Sequence, residues 1–311
     1  MKRKEDLLYS VVIPVFNSEN IIEKTVLRVV SFFDSVGLKC EVILVNDGSE
    51  DGSWRAVSKL AAKMYQVKGI NLLRNYGQHN ANLCGFREAL GDYVVTIDDD
   101  LQNPPEEIEK LIKTAEEGYD LVIGRFKEKK HSLFRRLGSK IVGWLNRRVF
   151  HVEKDLVLTN FRIIRRDVID RVCESHARHP YIPGLVLMFS NHRKNVLVEH
   201  HSRHSGQSNY NIFRILRLVS TILFNHSSIP LRFVASFGFA VAGFSFLLSL
   251  YYMLNALFMG VDVPGWTTLV VLLSFFNGVL IMIISVVGEY VVRLLRENDS
   301  VKSYYIKDMV E

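Results

Sequence analysis

The sequence predicts an α/β domain built on a mostly parallel sheet, followed by a two-helix transmembrane hairpin. Three observations carry this. From Leu8 to Gly124 short β-branched runs alternate with amphipathic stretches, the pattern of a parallel sheet covered by helices. Near the C-terminus two uncharged runs, Phe233 to Val261 and Val263 to Gly288, are each long enough as helix to cross a hydrocarbon core of roughly 30 Å. Between sheet and hairpin, two basic segments carry apolar residues at helical spacing.

Taken in order, the strands are Tyr9 to Val15, Glu41 to Asn46, Gly69 to Leu73 and Tyr93 to Ile97, with Leu121 to Ile123 as a weaker fifth. After the first, Ser18 is placed to cap a helix whose Ile21, Ile22, Thr25, Val26, Val29 and Val30 share a face, and Gly37 closes it. Each strand then meets a polar loop: Pro14 to Asn20, Asn46 to Ser53, Arg74 to Asn80, and the acidic block from Asp98. Ligands of open α/β sheets bind at the carboxyl ends of strands, so these four loops should line one crevice. Residues 131–150 place Phe134, Leu137, Ile141 and Leu145 on one helical face among five basic residues, an expected interfacial helix. Residues 211–228 repeat the arrangement with Ile212, Ile215, Leu216, Val219 and Leu223 beside Arg214 and Arg217, an expected juxtamembrane helix. The layout is then a domain over 1–210, membrane helices at about 232–258 and 265–290 within 229–292, and a tail over 293–311.

The hairpin connector around Gly260, Asp262 and Pro264 holds no Lys or Arg, whereas Arg214, Arg217 and Arg232 precede it and Arg293 and Arg296 follow. The positive-inside rule puts the domain and both termini in the cytoplasm, making this an integral protein of the cytoplasmic membrane. Met1 to Asp6 is short and charged and leads straight into a strand, so no cleavable signal peptide is expected. Cys40, Cys84 and Cys173 have no paired spacing, which fits reduced thiols rather than a disulfide frame. The net charge of +6 comes with no nucleic-acid recognition motif, so the basic residues are expected to face lipid headgroups and phosphates. GxGxxG and GxxxxGK[ST] are both missing, so neither the usual dinucleotide fold nor a P-loop NTPase is supported. His200, His201 and His204 lack the spacing of a closed tetrahedral zinc site.

The acidic block is the sharpest chemical signal. Tyr93 to Glu107 runs from an apolar strand into Asp98, Asp99 and Asp100 and then into a helix opened by Pro104 and Pro105. Alternation along extended backbone puts Asp98 and Asp100 on one side, able to share a cation, and turns Asp99 the other way. Oxygen-only ligands suit Mg²⁺ or Mn²⁺, ions that keep several waters and take other oxygens from a substrate phosphate. Helix capping by Asp100 and Asn103 accounts for one or two of these acids, not for three.

Together with SVVIPVFN (Ser10 to Asn17), VNDGSEDGS (Val45 to Ser53), RNYGQHNA (Arg74 to Ala81), NFRIIRR (Asn160 to Arg166), RHSGQSNY (Arg203 to Tyr210) and GEY (Gly288 to Tyr290), the block DDDLQNPPEEI makes the chain resemble, over nearly its whole length, the polyprenyl-phosphate glycosyltransferases of GT-A fold, family 2. That family includes the dolichol-phosphate mannose synthases. RNYGQH and LQNPPEEI most resemble the bacterial branch of undecaprenyl-phosphate aminoarabinose and glucosyl transferases. The resemblance implies that Asp98, Asp100 and Gln102 hold Mg²⁺ or Mn²⁺, and that Pro14, Asn17, Asp47, Asp98 and Asp99 belong to the nucleotide-sugar set. It implies further that Arg162, Arg203, Ser208 and Tyr210 bind the acceptor phosphate or the diphosphate, with Asp100 and Arg162 catalytic and Asp155 a candidate base. The sequence departs from many relatives at Asn46 (Asp), Phe16 (Tyr), Asp99 (Ala) and Asn209 (Lys).

The expected activity is inverting transfer of one sugar from a nucleotide donor, UDP-linked by expectation, to a polyprenyl phosphate at the cytoplasmic leaflet. The partners are then a nucleotide-sugar, a polyprenyl phosphate and the bilayer, with family members assembling through membrane helices and a tetramer expected. A processive synthase would carry QxxRW and more spans. A catalytically silent nucleotide-sugar-binding scaffold, or a subunit that helps move the lipid-linked sugar, is the reading from another class.

Overall fold

β-branched and aliphatic runs form the first strands where the alternation of the sequence puts them. In the computed structural model of the chain, residues 6–126, 156–175, 180–201 and 302–311 are described, with scattered helical positions between 143 and 294. The chain divides into two units, Met1–Asn211 with Val301–Glu311, and Ile212–Ser300. In the first unit the strands are β1 (Leu8–Val15), β2 (Lys39–Asn46), β3 (Val67–Leu72), β4 (Tyr93–Thr96), β5 (Leu121–Phe126), β6 (Arg162–Arg165), β7 (Arg193–Val198) and β8 (Ile306–Val310). They make one eight-stranded sheet in the order β7-β5-β6-β4-β1-β2-β3-β8. β1 pairs in parallel with β2 and with β4, and β2 with β3, so those four carboxyl ends share one edge. β6 enters antiparallel between β4 and β5, and β8 closes the far edge antiparallel to β3.

The helices are α1 (Ile22–Ser35), α2 (Ser53–Lys63), α3 (Gln78–Glu88), α4 (Ile108–Glu116), α5 (Arg166–Glu174) and α6 (Ile182–Phe189). Tyr9, Val11, Ile13 and Val15 on one face of β1 join Val26, Val29 and Phe33 of α1, Val57 of α2 and Leu111 of α4 in a single buried cluster. Val12 on the other face meets α3: a Cβ on Gly85 would come within 2.4 Å of its Cγ1. β1 is therefore buried on both sides, which is why it reads as a continuous apolar run rather than an alternating one. Burial of each such Val or Ile contributes roughly 1.5–3 kcal/mol. That anchors the strand ends, and with them the loops that follow.

Two expectations change in detail. Ser18 caps α1 through its backbone carbonyl, which accepts the N–H groups of Ile21 and Ile22, while its hydroxyl is turned to Asp99. No side-chain cap opens α4 either: Asp100 Oδ1 instead accepts the Gln102 N–H at 3.1 Å, so the acids are not there to cap a helix. The expected tail over 293–311 supplies β8 to the sheet. Among the described residues no helix is long and apolar enough to cross a membrane, and most of 229–292, 131–150 and 211–228 lies outside them.

Candidate active site

The four polar loops interlock at the carboxyl edge of β1 to β4. Asn17, in the left-handed region at φ 53°, donates its N–H to Ser49 Oγ at 3.0 Å and accepts the Glu50 N–H on Oδ1 at 3.0 Å. Ser18 N–H reaches Ser53 Oγ at 2.7 Å, which ties the β1 loop to the start of α2. Asp47, 3 % exposed, accepts the backbone N–H groups of Tyr76 and Gly77 at 2.7 and 2.9 Å, so its carboxylate fastens the β3 loop to the β2 loop. Burial pushes its carboxyl above the ordinary value against those two bonds. Pro14 lies buried in β1, in register with Val45.

The three aspartates separate by partner. Asp98 Oδ1 accepts Gln78 Nε2 from α3 at 2.7 Å and Asn160 Nδ2 from the residue pair before β6 at 2.8 Å. Asp99 turns to the β1 loop, where one oxygen accepts the Phe16 N–H at 3.2 Å and the Ser18 hydroxyl. Asp99 is therefore fastened to the loop that carries Asn17. β4 ends at Thr96 and Leu101 has φ 56°, so Asp99 and Asp100 lie on a turn where strict alternation no longer applies. Asp98 and Asp100 are near enough that burial first and the Asp100 charge second raise the Asp98 carboxyl above its ordinary value. Two mutually repelling carboxylates, one with an oxygen held by neutral amides, fit a hard cation. Among the described residues no three His, Cys, Asp or Glu side chains gather at one point. A cation here would rest on Asp98, Asp100 and the Gln102 amide, and take its other oxygens from water and a phosphate.

Asn160 links Asp98 to Arg162, 1 % exposed, on β6 opposite Thr96. Its Nη2 donates to Asn160 Oδ1 at 3.4 Å, while Nε and Nη1 are buried with no hydrogen-bond partner among the described residues. Burial pushes its pKa down to about 10, so the guanidinium stays charged at neutral pH. A buried cation with two unmet donors is costly unless an anion completes it. Asn160 is the hinge of this arrangement, since Asn82 Nδ2 donates to its Oδ1 at 2.9 Å and Thr96 Oγ1 to its carbonyl. Gln78, Asn82 and Asn160 were not assigned roles from sequence. Their signal is the amide-rich stretch RNYGQHNAN, Arg74 to Asn82, and the motif NFR.

Asp155, Arg203, Ser208 and Tyr210 lie outside the described residues. The chain leading to Arg203 is tied to the acidic block, with His201 N–H on the Gln102 carbonyl at 2.8 Å and Glu199 N–H on Glu107 at 2.9 Å. His200 stacks on Phe126 with ring centroids 4.3 Å apart.

Residues 10–172 match the family model described as Glycosyl transferase family 2. A protein of Shewanella sediminis named undecaprenyl-phosphate 4-deoxy-4-formamido-L-arabinose transferase is 35% identical over 100% of this chain and 95% of its own length. One of the same name from Aeromonas hydrophila is 34% identical over 100% of this chain and 96% of its own. Among solved structures, glucosyl-3-phosphoglycerate synthase from Mycobacterium tuberculosis, in complex with Mn²⁺, UDP and phosphoglyceric acid, superposes with a TM-score of 0.53 at 18% identity, covering 72% of this chain and 79% of that one. That likeness establishes the fold, an α/β sheet of the GT-A type. With whole-length relatives, a matching family model and this fold in agreement, the chain belongs to glycosyl transferase family 2 and is a glycosyltransferase.

Proposed function

We propose that the enzyme transfers a single sugar from a UDP-sugar to undecaprenyl phosphate at the cytoplasmic face of the membrane, with inversion at the anomeric carbon and with Mg²⁺ or Mn²⁺ bound. The observation that carries this reading is the opposition of charges at one edge of the sheet. Asp98 and Asp100 offer a cation site for the donor diphosphate, and Arg162 has two guanidinium donors in want of an anion. The acceptor follows from the relatives' name, which specifies undecaprenyl phosphate.

In this reading an acceptor phosphate oxygen attacks the anomeric carbon while the bond to the nucleoside diphosphate breaks, and the electron pair leaves with the diphosphate. A phosphate monoester with a second pKa near 6 is already anionic at neutral pH, so it needs little help from a base such as Asp155. The residues of the chain then have two tasks: to hold two anions that repel each other, and to stabilise the charge that develops on the leaving group. Arg162 suits the first because its planar fork binds two oxygens at once, and Arg203, Ser208 and Tyr210 are proposed to join it. Asp98, Asp100 and Gln102 would hold the divalent ion, which supplies positive charge for the departing diphosphate. Their presence argues against a silent scaffold.

The membrane hairpin belongs to the same proposal. Leu269, Leu273, Leu280, Ile284 and Leu294 are helical and more than half exposed, at 58, 53, 54, 60 and 63%, as side chains that face lipid would be. Residues 302–311 rejoin the sheet of residues 6–201, so a crossing segment between them must pass an even number of times. Assembly as a tetramer through these helices completes the proposal. The test is purified full-length protein in detergent with Mg²⁺ or Mn²⁺, short-chain polyprenyl phosphate, and a donor panel that includes UDP-glucose and nucleotide-linked 4-deoxy-4-formamido-L-arabinose. A lipid-linked sugar from one donor is the expected result. If none is formed and no donor is even hydrolysed, the proposal fails.

A further inference from the structure

The last strand of the sheet is joined to the loop of Asn17 by an unbroken line of side chains. Asp308 on β8 accepts Asn71 Nδ2 at 3.1 Å, and Asn71 Oδ1 accepts Asn46 Nδ2 at 2.8 Å. Asn46 Oδ1 accepts the Ser49 hydroxyl at 2.5 Å, and Ser49 Oγ accepts the Asn17 N–H at 3.0 Å. Asn46 and Asn71 are 1 and 7 % exposed, so water is a poor substitute for either partner. A carboxylate only accepts hydrogen bonds, whereas an amide presents a donor at one end and an acceptor at the other. Asp308 therefore fixes which end of Asn71 faces it. That fixes Asn46, and Asn46 in turn fixes where the Ser49 proton points.

We infer that Asp308 is a positioning residue for the nucleotide-sugar donor, acting through Asn71, Asn46 and Ser49 on the Asn17 loop. The inference rests on the proposed placement of the donor at Asn17 and Asp47. Its mechanical basis is that β8 is held independently of the relay. Lys68 pairs with Glu311 at 2.6 Å, and Arg87 donates to the Tyr304 hydroxyl at 3.2 Å, so the strand is a fixed post from which Asp308 can act.

A polarity swap tests it. Asn46→Asp puts acceptors on both sides of Asn71, whose single amide donor can satisfy only one. Adding Asp308→Lys supplies a donor at the far end, lets Asn71 turn over, and satisfies every group again. In the full-length protein Asn46→Asp should raise the donor KM about tenfold, the scale of one unmet buried hydrogen bond. It should also speed amide exchange of residues 16–18. Asn46→Asp with Asp308→Lys should bring both readouts back to within about threefold of wild type. Exchange is read without any ligand, so it reports the relay even if the donor reading is wrong. Wild-type protein that transfers no sugar marks failure of the functional proposal. Active wild type in which Asp308→Lys rescues neither exchange nor KM overturns the relay, and so does rescue of exchange with an unmoved KM.

Discussion

Lowering the pH should strip stability from the catalytic unit through one side chain, His79. It sits in the first turn of α3, its Nδ1 is buried with no partner among the described residues, and its ring meets Tyr181 edge-on at 5.5 Å. Burial first, and the Arg162 charge second, push its pKa down to about 4 from the usual 6.5. The unfolded chain thus takes up a proton that the folded chain refuses throughout that interval. Stability is fully present above pH 6.5 and is lost as pH falls towards 4. At 1.36 kcal/mol per unit the full loss is about 3 kcal/mol, of which about 2 kcal/mol is gone by pH 5. The measurement is denaturant unfolding of the full-length protein in detergent, with metal chelated, at several pH values for wild type and His79→Phe. Phenylalanine keeps an edge-on ring for Tyr181 and cannot titrate. The difference in stability between the two proteins should shift by about 2 kcal/mol in favour of the variant between pH 7 and 5. Parallel pH profiles for the two would show that His79 is not held neutral beside Arg162, and the description of that buried cluster would be wrong.

Other perturbations read separate parts of the site. Asp100→Asn should abolish transfer while leaving membrane insertion intact, and a wild-type rate in that variant removes the metal assignment. Arg203→Ala should raise the KM for the lipid acceptor without altering the donor KM; unchanged acceptor kinetics would count against a phosphate role. Gly48→Ala should destabilise the fold by about 2 kcal/mol or more, seen as a lower Tm. Gly48 has φ +64° and an added Cβ would lie 2.4 Å from the Arg74 carbonyl carbon, so a melting temperature equal to wild type would refute that close approach.

β1 to β5 were legible because parallel strands buried on both faces are written as short apolar runs, and their ends fell within three residues of the expected positions. β6, β7 and β8 were not. Arg162–Arg165 holds two apolar residues between arginines, Arg193–Val198 is half polar, and Ile306–Val310 contributes exposed side chains, so none has a pattern that periodicity detects. They are recruited by pairing with strands already in place. The convergence of the polar loops was readable from the rule about carboxyl edges, and the interlocking bonds at Ser49, Ser53 and Asp47 are its outcome. What each acid touches was not readable. The hold of Asp99 on Phe16 and Ser18 depends on a turn at Leu101 that nothing in the motif announces.

The choice of amides around Asp98 has a physical reason that the motif alone hides. Under the proposed function, a lysine or arginine at Gln78 or Asn160 would also hold the carboxylate, but it would cancel the charge that the proposed divalent ion needs and compete with that ion for the same oxygen. Two neutral donors on Oδ1 orient the group at 2.7 and 2.8 Å while leaving its net charge in place. The cation is instead set one step further back, at Arg162, where Asn160 stands between it and Asp98 and occupies only Nη2. Positive and negative groups are thereby kept near each other without pairing off, each able to meet a ligand of opposite sign. A fold concerned only with stability would pair them directly, since a buried guanidinium with two donors unmet among the described residues costs more than a paired one.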